Sequence, residues 1–297
     1  MYAGLDDFVA RTAPFLREGI AAEEPAMVMV GPEKIEALRR ELGGDAASVR
    51  FLDMTRAGHN PAWIIPAWRE FADAHPGRRM RGVGEPIWAG RSPDALIECQ
   101  RHESLLNYAF ADAAGFRLIC PYDTDALGPE VIHEARCSHP IVATEGIEGE
   151  SDCYRGAEAS AAPHADPLPE PETVVHGLPF SATMVDAARR AVERHATRAG
   201  LPAPQRDDLV LAVNELVTNS VRHGGGYGRL RLWSEGNVVV CEVRDRGGIV
   251  DPLAGRMRPS PHERGGYGLW LAHQVCDLVQ VRTLPSGGVV RVHMIRR

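Results

Sequence analysis

The sequence predicts two domains of different class: an α/β domain with a mainly parallel sheet, followed by an α+β two-layer sandwich. In the N-terminal half, short apolar segments alternate with helical patterns in the order β-α-β-α-α-β, which is typical of parallel α/β domains. In the C-terminal half, helical patterns come first and paired strand patterns follow, which is typical of a two-layer sandwich. A segment rich in proline, alanine and glutamate separates the halves.

Length and composition fit a soluble protein of this organisation. The chain has 297 residues and a net charge of −7, and about 150 residues per domain is usual. An acidic chain is a poor candidate for direct nucleic-acid binding. No signal peptide is evident, nor any apolar segment of the roughly 20 residues that span a membrane. The six cysteines form no CxxC pair and are typical of reduced thiols. We therefore expect a cytoplasmic protein with no membrane or nucleic-acid partner.

The N-terminal elements follow from periodicity and from capping residues. "EKIEALRREL" places its charges on one face of a helix. Ser92 and Pro93 are suited to the N-cap and the first position of a long helix. The predicted strands are 26–31, 48–54 and 116–123, and the predicted helices are 33–42, 62–75 and 92–110.

The composition changes between about 143 and 175, where "PLPEPE" favours an extended backbone. The predicted boundaries are 1–155 for the N-terminal domain, 156–175 for a linker and 176–297 for the C-terminal domain. In the C-terminal domain we expect a mixed sheet. Its predicted helices are 182–199, 205–223 and 266–277, its strands are 229–235, 237–245, 278–284 and 289–295, and a loop covers 246–264.

The helix predicted at 205–223 carries an unusual pair of polar residues. Glu215 and Asn219 lie one turn apart on the face opposite its apolar residues. Taken alone, such a pair is more often part of a solvated helix face. However, the residues around Asn219 are poor helix formers, and the helix runs directly into three glycines.

Two further motifs would suit a nucleotide. Asp245 ends a predicted strand and Gly247 follows, so a carboxylate could accept a hydrogen bond from an exocyclic amine beside an uncrowded backbone. Gly266 and Gly268 open a predicted helix, where free N–H groups and the helix dipole attract phosphate. Alone, each motif is more often an ordinary turn or helix start.

Together, in this order and within about 55 residues, the three motifs resemble those of the GHKL ATPase/kinase superfamily. "ELVTNSVRHG" and "GGYGLWLAHQVCD" are most similar to the anti-sigma-factor serine kinases, over nearly all of 176–297. The resemblance implies the GHKL (Bergerat) ATPase fold with ATP and Mg²⁺ as cofactors. It implies these roles: Asn219 as Mg²⁺ ligand, Glu215 as general base toward a serine hydroxyl, Asp245 as adenine ligand with Gly247 making room, and Gly266 and Gly268 as phosphate cradle.

The loop at 246–264 would correspond to the ATP lid of that family. It contains Arg256, Arg258 and Arg264, and an arginine there could stabilise the γ-phosphate. One feature departs from the family pattern Asp-x-Gly-x-Gly, because the second glycine comes one place early, as Gly248. This departure bears on the geometry of the lid and on turnover.

The N-terminal half resembles a second family. "HNPAWIIPAWREF", "RGVGEPIWAGRSPDALIECQRHESLLNYAF" and "CPYDTDALGPEVIHEARCSHP" are similar to the MEDS sensory domain, over roughly 2–155. The resemblance implies a RecA/KaiC-like α/β fold and a small-molecule ligand. The chain lacks a phosphate-loop motif, so we expect no nucleotide hydrolysis in this half. Family members have a strand before the position of Tyr2, so either this chain begins short of it or the sheet lacks an edge strand.

Polar residues of this half are candidates for sensing, but capping and strand-end hydrogen bonds explain most such residues equally well. The candidates are Glu85, Arg91, Glu98, His102, Glu103 and Asn107. A metal site is a further hypothesis, although the ligand spacing matches no known pattern; it would draw on His102, His133, His139, Cys120 and Cys137. Three tryptophans suit a core better than an apolar ligand pocket: Trp63, Trp68 and Trp88.

Three functional hypotheses follow. The first is a serine kinase that phosphorylates an anti-sigma-factor antagonist and sequesters a sigma factor, with a homodimer compatible with this role. The second is a non-catalytic module that binds the sigma factor or the antagonist, with ATP structural or absent. The third is a sensor histidine kinase, which would need a phosphoacceptor such as His176 or His195 on a dimerisation helix. No helical hairpin precedes the ATPase-like segment, so we favour the serine kinase.

Overall fold

The structure is a computed structural model that describes residues 1–297 apart from 114, 145, 163–164 and 260–265, and apart from the side chains of 160 and 161. Contacts between residues divide the chain into two compact units, Met1–Ala161 and Ala162–Arg297. Among the described residues, no helix is both long enough and apolar enough to cross a bilayer.

A parallel sheet forms the centre of the N-terminal unit, as the alternating pattern predicts. Its strands are β1 (Ala26–Val30), β2 (Val49–Asp53), β3 (Met80–Gly84) and β4 (Phe116–Ile119). In the described residues their order is β2-β1-β3-β4, and each neighbouring pair is parallel. β1 and β3 are buried along their whole length, as expected of parallel strands that are covered on both faces.

Helices flank this sheet, and the predicted ones are confirmed. The start of the long helix follows the capping prediction, because Ser92 Oγ accepts a hydrogen bond from Ala95 N at 3.3 Å and Pro93 is the first helical residue. The helices are α1 (Gly4–Ala21), α2 (Pro32–Leu42), α3 (Met54–Ala57), α4 (Ile64–Asp73), α5 (Pro93–Ala109), α6 (Pro129–Ser138) and α7 (Ala157–Ala161). A hairpin of β5 (Ile141–Thr144) and β6 (Ile147–Glu150) follows α6.

Helices α1 and α6, strand β3 and the β5–β6 hairpin have no counterpart among the sequence-based predictions. Glycines weaken the strand pattern of β3, and the structure shows why they are there. A Cβ at Gly82 would lie 2.7 Å from Leu118 Cδ1 and 3.0 Å from the Trp68 ring, and one at Gly84 would lie 3.0 Å from the same ring. These glycines therefore make room for an indole that packs flat on the sheet, and Trp68 is a core residue.

An antiparallel sheet forms one layer of the C-terminal unit. Its strands are β7 (His176–Ser181), β8 (Tyr227–Glu235), β9 (Val238–Asp245), β10 (Leu278–Leu284) and β11 (Gly287–Ile295). In the described residues the order is β10-β11-β9-β8-β7. The second layer contains α8 (Val185–Arg198), α9 (Ala203–His223) and α10 (Tyr267–Val275). This is the two-layer sandwich that the sequence predicts.

The prediction of a mixed sheet was wrong, because each described pair of neighbouring strands is antiparallel. The connection through α10 does return β10 parallel to β9. However, β11 lies between them and pairs antiparallel with both. The sequence indicates the crossover through α10, but it does not show that the last strand, β11, inserts between β9 and β10.

Strand β7 was not predicted and lies at the edge of the sheet, beside β8. Gly177 and Pro179 make its sequence a poor strand pattern. Proline cannot donate to a ladder and is confined in sheets largely to edge strands, which is where Pro179 lies.

Helix α9 is central to the C-terminal core. Its buried side chains include Leu209, Val213, Leu216 and Val217, and they pack with the buried residues of β9 in a single apolar cluster. The apolar arc that the sequence predicts for this helix therefore faces the sheet. The opposite arc, with Glu215 and Asn219, is only half-buried.

The other face of the sheet holds a buried ion cluster centred on Glu242. Its carboxylate accepts hydrogen bonds from Arg231 at 2.8 Å, from Arg244 at 2.6 Å and from Arg291 at 2.7 and 2.9 Å. Glu170, from the segment predicted as a linker, bridges Arg231 and Arg244. This part of the segment is therefore bound to the sheet.

Acid titration of the C-terminal unit is expected to report on this cluster. Burial alone would raise the pKa of Glu242, but the hydrogen bonds and charges of Arg244 and Arg291 outweigh it and lower the pKa. A carboxyl with a lowered folded-state pKa stabilises the fold above its unfolded pKa of about 4.3, and this contribution is lost as the pH falls through the folded value. We expect Glu242→Gln to lower the free energy of unfolding by roughly 3–5 kcal/mol at pH 7, because arginines remain buried without their counter-charge.

Calorimetric unfolding of both proteins between pH 3 and 7 measures this effect. The midpoints of Glu242→Gln and wild type should differ most at neutral pH and converge toward pH 3. Glu193→Gln, which alters an exposed glutamate of α8, is the matched control and should follow wild type throughout. A gap between Glu242→Gln and wild type that is independent of pH would contradict the prediction.

Candidate functional site

A cleft in the C-terminal unit lies between α9 and the ends of β9 and β11. Its cavity volume is about 100 Å³. Its apolar walls are formed by Leu216, Val243, Ile249, Leu269 and Val290. Its polar lining includes Asn219, Ser220, His223 and Asp245. The cleft therefore combines apolar walls with a few polar groups, as small-molecule sites do.

Asp245 is held at the end of β9 by short hydrogen bonds. Its Oδ1 accepts from Gly247 N at 2.7 Å, and its Oδ2 accepts from Ser220 Oγ at 2.5 Å. Each carboxylate oxygen keeps further acceptor capacity. Asp245 therefore presents an oriented acceptor to the cleft, and its role as an adenine ligand stays a prediction.

Glycines surround Asp245 because larger residues would collide with its side chain or with neighbouring backbone. A Cβ at Gly224 would lie 2.3 Å from Asp245 Cγ, and one at Gly247 would lie 3.0 Å from Gly224 Cα. Gly287 has φ +130°, and a Cβ there would lie 1.9 Å from Asp245 O. Gly247 thus makes room, but mainly for the end of α9 and the carboxylate.

Helix α9 ends beside this group. The helix stops at His223, and Gly225 and Gly226 follow with φ of 90° and 86°. Gly224 O accepts from Arg246 N at 3.1 Å, which ties the end of the helix to the start of the next loop. The three glycines therefore end the helix, and the first of them, Gly224, lies against Asp245.

The two glycines at the start of α10, Gly266 and Gly268, differ in burial and in what they contact. Gly268 is buried, and a Cβ there would lie 2.5 Å from Asn219 Nδ2 and 3.2 Å from Glu215 Cβ. The first turn of α10 therefore packs directly on both polar residues of α9. Gly266 is the exposed N-cap, in the left-handed conformation with φ +82°. Of the two, Gly266 leaves its backbone open toward a ligand.

The described part of the lid, 246–259, is fastened at both ends. Ile249 N donates to Thr283 Oγ1 at 3.1 Å, and Thr283 Oγ1 donates to Ile249 O at 2.9 Å. At the far end Tyr267 OH donates to Pro259 O at 3.2 Å. The position where the sequence departs from the family pattern, Gly248–Ile249, is thus bonded to strand β10.

The lid arginines occupy different environments. Arg256 is buried and lies near His273, whose pKa burial and the Arg256 charge lower to about 3. Arg258 is exposed, with its guanidinium 5.8 Å from the Trp270 ring centroid. Arg258 therefore has the freedom to meet a phosphate, and Arg256 does not. Arg264, the predicted phosphate ligand, lies outside the described residues.

Several residues of this site have no sequence-based prediction, chiefly Ser220 and Thr283. Ser220 falls on the apolar arc of α9, yet it is buried and bonded to Asp245. A hydroxyl at a core position of a helix was the signal that could have revealed it, because buried polar groups need partners.

The N-terminal unit has polar residues at the carboxyl ends of its strands. Glu85 follows β3 and is buried, and it forms an ion pair with Lys34 Nζ at 2.6 Å and a hydrogen bond with Tyr2 OH. Burial raises the pKa of Glu85, although Lys34 opposes this. The group lies between β1 and β3, where helices leave the sheet in opposite directions, and ligands of α/β sheets bind at such points.

A second polar group consists of Glu103 in α5, Cys120 after β4 and His139 after α6. His139 Nε2 is 3.0 Å from Glu103 Oε2, and the Cys120 thiol is close to both. Burial alone would lower the pKa of His139, but the hydrogen bond and charge of Glu103 raise it. His139 Nδ1 is 2.7 Å from Ala135 O, which orients the ring.

Other predicted sensory residues have structural partners. Arg91 donates to backbone oxygens of Pro86, His59 and Gly58 and stacks on Trp88 at 3.9 Å. Asn107 donates to Ser138 O at 3.3 Å. Glu98 and His102 are buried within α5. The ligands of the metal hypothesis do not form one site, because Cys120 and His139 join Glu103, whereas His133 and Cys137 join Cys153.

The C-terminal cleft fits an ATP–Mg²⁺ group by its donor set. The oriented Asp245 acceptor, apolar walls and exposed Gly266 suit an adenine and its phosphates. The Asn219 carboxamide, on the rim of the cleft, has the oxygen that Mg²⁺ prefers. Glu215 is also half-buried and lies one helical turn before Asn219 on the same face of α9.

Comparison with known families agrees with this geometry. Residues 1–140 match the model of the MEDS family, the methanogen/methylotroph DcmR sensory domain. Residues 178–294 match the model of the histidine kinase-like ATPase domain. No curated protein matches the chain significantly. The chain therefore joins a MEDS sensory domain to a histidine kinase-like ATPase domain.

Proposed function

We propose that this protein is an ATP-dependent serine kinase of the anti-sigma type. It binds ATP with Mg²⁺, transfers the γ-phosphoryl group to a serine of an anti-sigma-factor antagonist, and sequesters a sigma factor under control of its sensory domain. The cleft lined by Asp245 and Asn219, with Glu215 packed beside Asn219 against Gly268, carries this proposal. The match of 178–294 to an ATPase domain supports ATP, and the resemblance of the motifs supports the anti-sigma branch.

Each residue would have a distinct task. Asp245 would accept a hydrogen bond from the adenine amino group, with its orientation set by Ser220 and Gly247. Asn219 would hold Mg²⁺, which offsets the charge of the phosphates. Glu215 would accept the proton of the serine hydroxyl as its oxygen attacks the γ-phosphorus, and ADP would leave.

The environment of His195 favours a serine acceptor over a histidine on this chain. His195 lies in α8, and its Nε2 is 3.3 Å from Ser234 Oγ of β8. Burial lowers its pKa. A phosphoacceptor histidine must project from a helix toward another domain, whereas this ring packs against its own sheet. His176, the other candidate, is in the edge strand β7 rather than in a helix.

The test is transfer of labelled phosphate from ATP and Mg²⁺ to a recombinant antagonist protein from the same genome. We expect acid-stable phosphate on a serine of the antagonist, with the label lost in Glu215→Gln and Asn219→Ala. Asn214→Ala, on the same helix but outside the cleft, is the matched control and should retain transfer. ATP binding without transfer would favour a non-catalytic binding module, and acid-labile phosphate on the chain itself would favour a histidine kinase.

A first prediction concerns nucleotide recognition. Asp245→Asn replaces one carboxylate oxygen, an acceptor, with an NH₂ group that carries two donors. Because hydrogen bonds to charged groups contribute roughly 1.5–3 kcal/mol, we expect ATP affinity to fall by about 10- to 100-fold. Calorimetric titration with ATP and, separately, GTP measures it. Asp186→Asn, in the exposed first turn of α8, is the control. Unchanged ATP affinity in Asp245→Asn would exclude the adenine role.

A second prediction concerns the packing of α10 on α9. The added methyl of Gly268→Ala would lie 2.5 Å from Asn219 Nδ2, so the carboxamide must move. We expect Mg²⁺-dependent ATP affinity to fall by at least about tenfold, with a smaller loss of stability, since overpacking costs roughly 1–3 kcal/mol. Gly236→Ala, in the β8–β9 turn away from the cleft, controls for stability loss without a site effect. A fall in stability alone would contradict the prediction.

A further inference from the structure

Three side chains with soft or borderline metal-ligand atoms meet beside the last turn of α6. They are His133, Cys137 and Cys153, and their ligand atoms all lie within 4.8 Å of one another. His133 and Cys137 are four residues apart and share one face of the helix. The distance from Cys137 Sγ to His133 Nε2 is 3.5 Å.

The backbone that carries Cys153 is bound to α6 by several contacts. Arg155 donates to both oxygens of Glu134 at 2.6 and 2.7 Å, and Arg155 N donates to Cys137 O at 3.1 Å. On the other side of Cys153, Ser151 Oγ donates to Arg136 O at 2.7 Å. These contacts hold the third ligand in place before any ion binds.

The spacing fits a tetrahedral thiolate–imidazole site. With Zn–S near 2.3 Å and Zn–N near 2.05 Å, tetrahedral geometry puts sulfur and nitrogen about 3.6 Å apart and two sulfurs about 3.8 Å apart. Burial differs along the group, since Cys137 is buried, Cys153 is half-buried and His133 is exposed. Because His133 is exposed and Cys153 is half-buried, solvent can reach the group and supply a fourth ligand.

We propose that His133, Cys137 and Cys153 bind a Zn²⁺-class ion, with a solvent molecule as fourth ligand. Two thiolates and an imidazole select such borderline-soft ions over Mg²⁺ or Ca²⁺. Cys153 lies beyond the residues that match the MEDS family model, so the site is not part of that match. The ion joins α6 to the segment after the β5–β6 hairpin, at the end of the sensory unit.

Proton release accompanies binding. Burial and the neighbouring Cys153 thiol raise the pKa of Cys137 to about 11, so this thiol gives up a proton when its sulfur binds the ion. Binding forms two metal–sulfur bonds, and thiol protons are released to solvent. Affinity should therefore increase with pH across the neutral range.

Co²⁺ titration of the full-length, fully reduced protein tests the site. We expect tetrahedral visible absorption and a thiolate-to-cobalt band in the near ultraviolet, saturating at about one Co²⁺ per chain and abolished by Zn²⁺. Cys137→Ser and Cys153→Ser should lose the thiolate band. Loss of an outer-shell partner alone costs about 10- to 100-fold in affinity, so His133→Gln should weaken binding by at least 100-fold.

Two control substitutions distinguish binding at this site from binding at other groups in the chain. Cys120→Ser alters the Glu103–Cys120–His139 group, and His75→Gln alters a histidine elsewhere; both should retain the band. Cys153 is half-buried in a loop, so Cys153→Ser should keep the far-ultraviolet circular dichroism of wild type. Zn²⁺ should also slow alkylation of Cys153, read by mass spectrometry. Absence of a thiolate band in reduced wild type, or a band lost in Cys120→Ser and retained in Cys153→Ser, would overturn the proposal.

Discussion

The contact between Ser220 and Asp245 organises the C-terminal unit. It joins helix α9 to the end of β9, the central strand of the sheet, through a hydrogen bond of 2.5 Å. Both groups are withdrawn from bulk water, and a half-buried carboxylate must be matched by donors. The Ser220 hydroxyl and the Gly247 N–H supply them. Because both oxygens are already oriented, the cleft presents an acceptor that needs no rearrangement when a donor arrives, which is the condition for selective binding of an amine.

The glycines of this unit follow from that contact. For the carboxylate to reach Ser220, the end of α9 must approach β9 more closely than any Cβ would allow at Gly224. Gly287 satisfies the same condition on the side of β11, where the turn between the last two strands passes over Asp245. These glycines therefore allow α9 and the turn before β11 to pack closely around Asp245.

Much of this arrangement could be predicted from the sequence, and the exceptions have a common physical cause. The period of α9, the capping of α5 and the three nucleotide motifs each depend on local spacing, which a sequence shows directly. Strand β7, the position of β11 between β9 and β10, and the role of Ser220 depend on partners far along the chain. Pro179 is tolerated because β7 is an edge strand, and Gly82 because Trp68 covers it, and neither fact can be read from neighbouring residues. The group of His133, Cys137 and Cys153 was missed for the same reason, because the β5–β6 hairpin separates Cys153 from Cys137 along the chain.

The position of Gly268 links the lid to the polar face of α9. α10 begins at the end of the lid and packs on Asn219 and Glu215 without an intervening side chain. On its other side α10 packs closely against the lid. A Cβ at Gly255 in the lid would lie 2.5 Å from Leu269 Cγ and 2.9 Å from His273 Cδ2 of α10. Packed interfaces of this kind transmit displacement rather than absorb it. The described part of the lid, 246–259, therefore packs on the helix against which Asn219 and Glu215 are positioned, so the positions of both side chains depend on that of the lid.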